Sequence, residues 1–461
     1  ADGTTAARMR RIVLAALAVL AALGLAGCSD VDRQQSIVCV AIATAIGPEG
    51  RPVTIRSVEP LSGASNAIRV IFIAAGDPRT LFADCAFAGG ALSAGRTDIL
   101  AVRGFSGRMP EWRLGLLKRW FLEQPGAVQA AVAEAGWAPP RYALLPIALP
   151  ATAGYALQQL VNAVNIAAFY VPLALAYALI YGLVGRLNMA FGDFAMIGGF
   201  GAVFGLVTAA TAHVPSLVTV MLVALAASVS LTALFGYLTA RTVVMPLLAR
   251  PPRAFIVATV GLGITVSEAV RIAQGSREIW LQPMLGDQVL IAGGPFPVVV
   301  TVMRLVILAL SGLAVVWLFA ILARSAFGRA WRAVADDALA ARLFGIDPAA
   351  VTGVTFILAS SLASLSGSIL ALGYGGTSFS AGLMLGLKAL IACLIGGGTP
   401  RGALIGALLL AAIETGWSAV FGLGERDIAV LAIITLLFLL RPDGLFGRRA
   451  ALEEGRPIRL S

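Results

Sequence analysis

The pattern of apolar and polar positions changes abruptly near Pro150. Beyond Gln158, apolar residues run almost unbroken through 162–185, 192–211, 216–240, 254–272, 298–322, 350–373, 384–398, 402–421 and 426–440. Most of these approach the roughly 20 residues a helix needs to cross the hydrocarbon of a bilayer, so each is expected to be a membrane helix. The seventh is short for a span and is expected to be tilted within protein or re-entrant. Before Pro150 the texture differs. SIVCVAIATAI, VTIRSV and IRVIFIAA, rich in Val and Ile, are expected strands. PEWRLGLLKRWFLEQ and AVQAAVAEAG are expected helices, with Pro110 at a helix start. The pattern predicts an all-α polytopic membrane protein of eight or nine transmembrane helices, preceded by a small exported α+β domain.

Arginine placement sets the expected direction of the spans. Arg241, Arg250 and Arg253 share one loop; Arg324, Arg329, Arg332 and Arg342 share another; Arg401 lies in a third, and Arg441, Arg448 and Arg449 open the tail. If all nine segments cross, these loops fall on one side, which is then the cytoplasm. The intervening loops carry few positive charges, chiefly Arg277 and Arg426. Parity puts the start of the first span outside. Residues 9–28, MRRIVLAALAVLAALGLAGC, lead to the same side, because two arginines, an apolar core and small residues are the layout of a secretory signal. The ending LAGC resembles a bacterial lipobox, with Cys28 as the lipid-bearing residue; the alternative is an uncleaved helix that contains a cysteine. The expected domains are a signal or anchor segment at 1–28, a periplasmic extension at 29–150, a membrane domain at 158–448 and a cytoplasmic tail at 449–461.

Composition agrees: 59% of the 461 residues are hydrophobic and 13% charged, against about 25% charged in a soluble domain. The net charge of +10 is explained by cytoplasmic loops, and no basic stripe interleaved with aromatics points to nucleic acid. The cysteines Cys28, Cys39, Cys85 and Cys393 form no CxxC, and the single histidine, His213, lies apart from them, so a zinc site is not expected. Cys39 and Cys85 either pair as a disulfide in an oxidising compartment or stay as buried thiols. The chain has no phosphate-binding GxxxxGK[ST] loop and is not expected to be an enzyme.

Candidate chemistry sits at a few places. In LNMAFGDFAMIGGF, residues 187–200, a tight cytoplasmic-side turn is expected between the first two membrane helices. Asn188 is placed to cap exposed backbone and Asp193 falls in the first turn of the next helix, where the dipole favours a negative charge; capping and direct solute contact are both open. Gly201 and Gly205 have the spacing that lets helices approach closely. Glu268 and Lys388 are placed to snorkel to the outer interface, while Glu414 is deeper and expected to find a buried partner. Ser360, Ser361, Ser364, Ser366 and Ser368 either line a polar path or bond neighbouring helices. Residues 325–351, SAFGRAWRAVADDALAARLFGIDPAAV, form an amphipathic stretch on the arginine-rich side that is far longer than a connection requires, which fits a docking surface.

Several of these stretches, in this order, resemble the integral-membrane permeases of bacterial ABC importers for branched-chain amino acids, a family that includes urea and amide permeases. LQQLVNAVNIAAFYVPLALAYALIYGLVGRLNMAFGD resembles the family's opening span and its Asn-x-Ala-His-Gly-Glu turn. FGRAWRAVADDALAARLFGID resembles its coupling loop, and GLKALIACLIGGGTPRGALIGALLLAAIETG and RPDGLFG its closing spans and C-terminal signature. The resemblance covers about 158–448. Phe191 stands where the family has His, and Asp193 where it has Glu. The resemblance implies a permease that uses ATP and Mg through separate ATPase subunits and holds no cofactor itself. It further implies a second homologous permease, a periplasmic substrate-binding protein and a place in the bacterial inner membrane. It makes 328–345 the coupling helix, carried by Gly328, Arg332, Ala333, Asp336, Ala341 and Gly345, with Arg332 and Asp336 supporting each other one turn apart. Asn188, Asp193, Glu268, Lys388 and Glu414 are then translocation-path or structural residues. The expected solute is a branched-chain or related amino acid. Urea or an amide is the alternative within the family, and a self-sufficient secondary transporter with an exported domain is the alternative outside it.

Overall fold

Asp32 opens the first element of the computed structural model, its carboxylate accepting from the backbone N–H groups of Gln34 and Gln35 at 2.9 and 3.2 Å. The structure describes residues 31–48, 51–61, 66–76, 79–90, 93, 95–124, 126–138, 143–281, 285–421 and 424–440. The signal-like segment 9–28 with Cys28, and the tail arginines Arg441, Arg448 and Arg449, lie outside them. The chain forms two compact units, dividing between Tyr142 and Ala143 rather than at 150; Thr211–Val220 groups with the first.

In the first unit, α1 (Arg33–Ile46) is followed by β1 (Val53–Pro60), β2 (Ala67–Ala74), β3 (Leu81–Phe87), β4 (Ile99–Gly104) and β5 (Gly107–Arg108). Then come α2 (Glu111–Leu117), continued by a π turn (Lys118–Leu122), and α3 (Ala127–Glu134). The strands make one antiparallel meander in sequence order. The first expected strand, SIVCVAIATAI, is instead α1. An apolar run of that length cannot be assigned by periodicity alone. Here the Asp32 cap decides it, and residues 39–43, five in a row wholly buried, set the helix in the core of the unit. Cys39 and Cys85 are disulfide-bonded, joining α1 to β3. Arg69 and Asp84 face each other across β2 and β3 and pair at 2.6 Å; that hydrogen bond holds the guanidinium above its ordinary pKa.

The second unit begins with β6 (Ala143–Ala148). Its helices are α4 (Ala151–Val184), α5 (Phe191–Thr211), α6 (Leu217–Thr239, running through a π turn into α7, Met245–Leu248) and α8 (Pro252–Gln274). β7 (Ile279–Trp280), β8 (Gln288–Gly293) and β9 (Val298–Thr301) precede α9 (Val302–Arg324), α10 (Ala326–Asp336), α11 (Ala338–Leu343) and α12 (Pro348–Gly373). β10 (Gly376–Thr377), α13 (Ala381–Ile395), α14 (Pro400–Phe421) and α15 (Arg426–Leu440) complete it. Among the described residues, seven helices are long and apolar enough to cross a membrane: α4, α5, α6 with α7, α8, α9, α12 and α14. α13 and α15, at 15 residues each, are shorter. The first span starts at Ala151, not 162, and the fifth at 302, not 298, because β-branched Val298–Thr301 pairs as β9 with β8.

α4 is the hub, packed against α14, α12, α13 and α9; its most apolar window is 83% buried, against 22% in α9 and 17% in α8. The arginine-rich loops gather at its C-terminal end, as parity requires. Arg186 donates to the carbonyls of Leu247, Leu248 and Arg250 at 3.0–3.2 Å, Gly182 lies against Trp331 and Tyr181 against Gly398. At the other end, Tyr155 donates to the Ala419 carbonyl at 2.9 Å and its ring meets Phe296 at 5.5 Å.

Glycine sets the helix spacing: a Cβ on Gly367 of α12 would strike the Ala195 carbonyl of α5, whereas one on Gly312 of α9 would meet nothing within 4 Å. Gly367→Ala is expected to destabilise the protein by about 1–3 kcal/mol, read as a lowered unfolding midpoint in detergent, while Gly312→Ala leaves it unchanged or raises it.

Candidate functional site

α4 stops at Gly185, whose left-handed φ of +66° ends the helix with its N–H on the Tyr181 carbonyl. The next six residues do not turn at the bundle surface. Arg186 stays at the end, but the Met189 N–H donates to Thr259 Oγ1 at 3.2 Å, and Thr259 is seven residues, about 10 Å, into α8. Gly198 touches the backbone of Ser364, which is sixteen residues, about 24 Å, into α12, although Gly198 itself is only seven residues, about 10 Å, into α5. α5 therefore begins about 14 Å inside the bundle, nearly half the depth of a ~30 Å hydrocarbon core. The expected cytoplasmic-side turn is a re-entrant segment. It dips because glycines let it: Gly192 abuts Gly382 and Gly386 closely enough that no side chain fits between them.

This placement brings Asn188 and Asp193 together at a buried helix start. Asn188 is 2% exposed, and its Oδ1 accepts from the Ala190 N–H at 3.1 Å while its Nδ2 has no partner. Asp193 is 7% exposed, in the first turn of α5, with its carboxylate in a glycine-walled niche. A Cβ on Gly382 would come within 2.5 Å of one oxygen and a Cβ on Gly263 within 2.6 Å of the other. The positive end of the α5 dipole stabilises the carboxylate. The phenol of Tyr177 lies beside Gly386, at the same level. Phe191 is fully buried, stacked on Phe194 at 4.6 Å and edge-on to Tyr177 at 5.6 Å, so an aromatic cluster occupies the place where the family has a titratable ring. Chemically, the segment offers a carboxylate, an unused amide N–H and nearby hydroxyls at mid-depth, a set suited to a small solute bearing N–H groups.

Two of the five serines of α12 bond helix to helix, and Ser361 and Ser364 donate to the Ile357 and Ser361 carbonyls of their own helix at 2.8 Å. Ser368 donates to Ser228 Oγ at 2.7 Å, Ser228 donates on to the Gly198 carbonyl at 2.7 Å, and Ser366 reaches the Phe169 carbonyl at 2.9 Å. Ser360 is buried against Gly236 with an unpartnered hydroxyl.

Lys388 does not snorkel. It is buried, with Nζ 2.5 Å from Glu414 Oε1 and 2.9 Å from Asp427 Oδ1. Tyr170 donates to Glu414 Oε2 at 3.0 Å, and Arg426 pairs with Asp427 at 3.3 Å. One network thus ties α4, α13, α14 and α15, with two cations balancing two carboxylates. Glu268 does stay at the surface, half exposed and paired with Arg271 one turn on at 2.5 Å. His213 is exposed in the turn after α5.

The platform at the arginine-rich end is α10 and α11. Ser325 caps α10 by accepting from the Gly328 N–H at 3.0 Å, and Asp337 caps α11 by accepting from Leu339 and Ala340. Of the six residues singled out by sequence, Gly328, Ala333 and Ala341 face inward, while Arg332, Asp336 and Gly345 are exposed. Gly328 is pressed on the Leu322 carbonyl, Ala341 is buried and Ala333 packs on the core. Arg332 does not support Asp336: its guanidinium donates to the Leu322 carbonyl at the end of α9, and Asp336 is exposed. Gly345 takes φ +78° to end α11. The apolar part of the outward surface belongs to residues not singled out: Leu339, Leu343 and Phe344 are 67%, 84% and 85% exposed. Their signal was in the sequence, apolar residues four apart at 339 and 343 in an otherwise polar loop. Tyr170, Thr259 and Asp427 carried no such signal, because their partners lie 39 to 244 residues away.

A hub helix, a half-buried second helix and a capped helical platform at the arginine-rich end define a polytopic membrane permease. The chain belongs to the family described as branched-chain amino acid transport system, permease component, whose sequence model matches residues 159–440. It is 32% identical over 294 residues to the high-affinity branched-chain amino acid transport system permease protein BraD of Pseudomonas aeruginosa, covering 63% of this chain and 96% of that protein. It is 30% identical over 298 residues to the corresponding LivH of Salmonella typhimurium and 28% over 296 to that of Escherichia coli, each covering 64% of this chain and 96% of the relative. Of the first unit, residues 17–142 lie outside the matched segment.

Removing Lys388 alone strands a buried carboxylate. Lys388→Met is expected to destabilise by about 3–5 kcal/mol, and the double change with Glu414→Gln by clearly less than the sum of the two single changes. A double-mutant cycle on detergent unfolding checks it.

Proposed function

We propose that this chain is a transmembrane subunit of an ATP-driven importer that carries branched-chain or related amino acids across the bacterial inner membrane. Cytoplasmic ATPase subunits, a second permease and a periplasmic binding protein complete the machine, and ATP and Mg are bound by the ATPase. The observation that carries the reading is the exposed apolar tip of α11. A permease that worked alone has no use for Leu339, Leu343 and Phe344 standing in water beside the arginine-rich loops, whereas a partner with a groove does.

The platform is built to pass on a push. Trp331 of α10 abuts Gly182 near the end of α4, Gly328 abuts the last turn of α9, and Arg332 grips the Leu322 carbonyl. Displacing α11 therefore loads α4 and α9 through α10, and α4 carries the load into the core. On the solute's route, the re-entrant segment supplies the polar station: Asp193 receives an ammonium, and the α5 start with the free Asn188 amide receives a carboxylate. The names of BraD and LivH support amino acids as the cargo. The first unit is taken to face the periplasm, as the arginine distribution of the spans requires if all nine segments cross.

Leu343→Glu and Phe344→Glu place a charge where the partner's groove must stay apolar. Each is expected to cut ATP-driven leucine uptake in proteoliposomes at least tenfold, with the amount of inserted protein unchanged. Uptake at the wild-type rate would overturn the assignment of α11 as the ATPase seat.

A further inference from the structure

The first unit presents a helix face with no cover. Trp112, Leu116 and Trp120 recur four residues apart along α2 and its π turn and are 69%, 49% and 66% exposed. The opposite side holds the helix in place: Leu114 is buried, and Leu117 and Leu122 pack on the unit's core. Lys118 pairs with Asp98 at 3.2 Å, so α2 runs back along β4, whose Leu100 is 63% exposed. Arg113 and Arg119 flank the row and are exposed. Two open indoles and a leucine in one line are costly in water, at roughly 25 cal/mol for each Å² of apolar surface left wet.

The chemistry of the row selects among occupants. Indoles are amphipathic and prefer the headgroup level of a bilayer, and arginines beside them complement anionic phosphates. Length points the same way. The unit ends at Tyr142 and α4 starts at Ala151, so only eight residues tether this face to a membrane helix and the lipid surface is always at high effective concentration. We propose that the Trp112–Leu116–Trp120 face rests in the interfacial layer of the membrane, with Arg113 and Arg119 on lipid phosphates, anchoring the unit to the bilayer. This stands apart from the transport reading and survives its failure.

The test uses the full chain, with Cys28 and Cys393 replaced by Ser, in vesicles of phosphatidylethanolamine and phosphatidylglycerol. An environment-sensitive fluorophore is attached at Leu116→Cys and, as a control, at the exposed Thr54→Cys on β1. The label at 116 is expected to emit to the blue of the control. Lipid-borne nitroxides should quench it at least threefold more strongly than the control and iodide correspondingly less, and the joint change Trp112→Ala with Trp120→Ala should erase the difference. Quenching by iodide equal to the control, with no response to lipid nitroxides, overturns the proposal. Protection from iodide without lipid quenching also overturns it, assigning the face to a second copy if protection falls on dilution in lipid and to a protein partner if it appears only when the binding protein is added.

Discussion

Backbone-to-backbone contact at glycine holds this membrane unit in its particular shape. Between helices in lipid there is little hydrophobic drive, so close van der Waals approach and shared hydrogen bonds must do the joining. Gly192 against Gly386, Gly198 against Ser364, Gly367 against Ala195, and Gly396 against Gly402 are all contacts that a methyl group would force apart. They let α5 start in the middle of the unit instead of at its edge. Once it starts there, its free N–H groups and the loop before it must be satisfied without water. Asn188 and Thr259 do part of that, and Asp193 faces the rest of the positive end. The polar residues at the re-entrant segment follow from the break, and the break follows from the glycines.

Two further interactions connect that centre to the ends. At the arginine-rich end, α10 is fastened to α4 and α9 by a tryptophan, a glycine and an arginine, which couples the platform to the hub. Deeper, Lys388 ties the short helix α13 to α14 and α15 through Glu414 and Asp427, while Tyr170 brings in α4. α13 also carries Gly382 and Gly386, which wall the Asp193 niche. A shift of α4 that carried α13 with it, away from α5, would therefore open the niche. That gives a physical route from a push on α11 to a change around Asp193, without any side chain having to span the distance.

Much of this was legible in the sequence. The apolar segments, the clustering of arginines and the amphipathic stretch at 325–351 gave the membrane unit, its arginine-rich end and the platform, because these depend on composition along the chain. The reading failed where long-range contact decides. Residues 36–46 read as a strand, whereas the Asp32 cap starts a helix whose middle is buried on every side. The turn at 187–193 read as a surface turn because its depth is set by α8, α12 and α13, not by its own residues. Lys388 read as snorkelling because its partners are far away in sequence, and Arg332 turned to a backbone carbonyl instead of to Asp336. On the platform, small residues were read as the outward surface, whereas packing took Gly328 and Ala341 inward and left Leu343 and Phe344 outside. A broken helix near the midplane is also what a secondary transporter would show. That feature, absent from the sequence pattern, does not separate the two classes; the family membership does.

The depth of the re-entrant segment is the claim on which the solute path stands, and it can be read by reactivity. Single cysteines at Met189 and Arg250, introduced without Cys28 and Cys393, can be exposed to a charged thiol reagent in lipid nanodiscs that leave both faces open. Arg250 lies in an exposed loop and Met189 about 10 Å inside α8. The cysteine at 250 should label at least tenfold faster than the one at 189 when no nucleotide or partner is present. Equal rates at the two positions would put the segment at the surface and contradict the account.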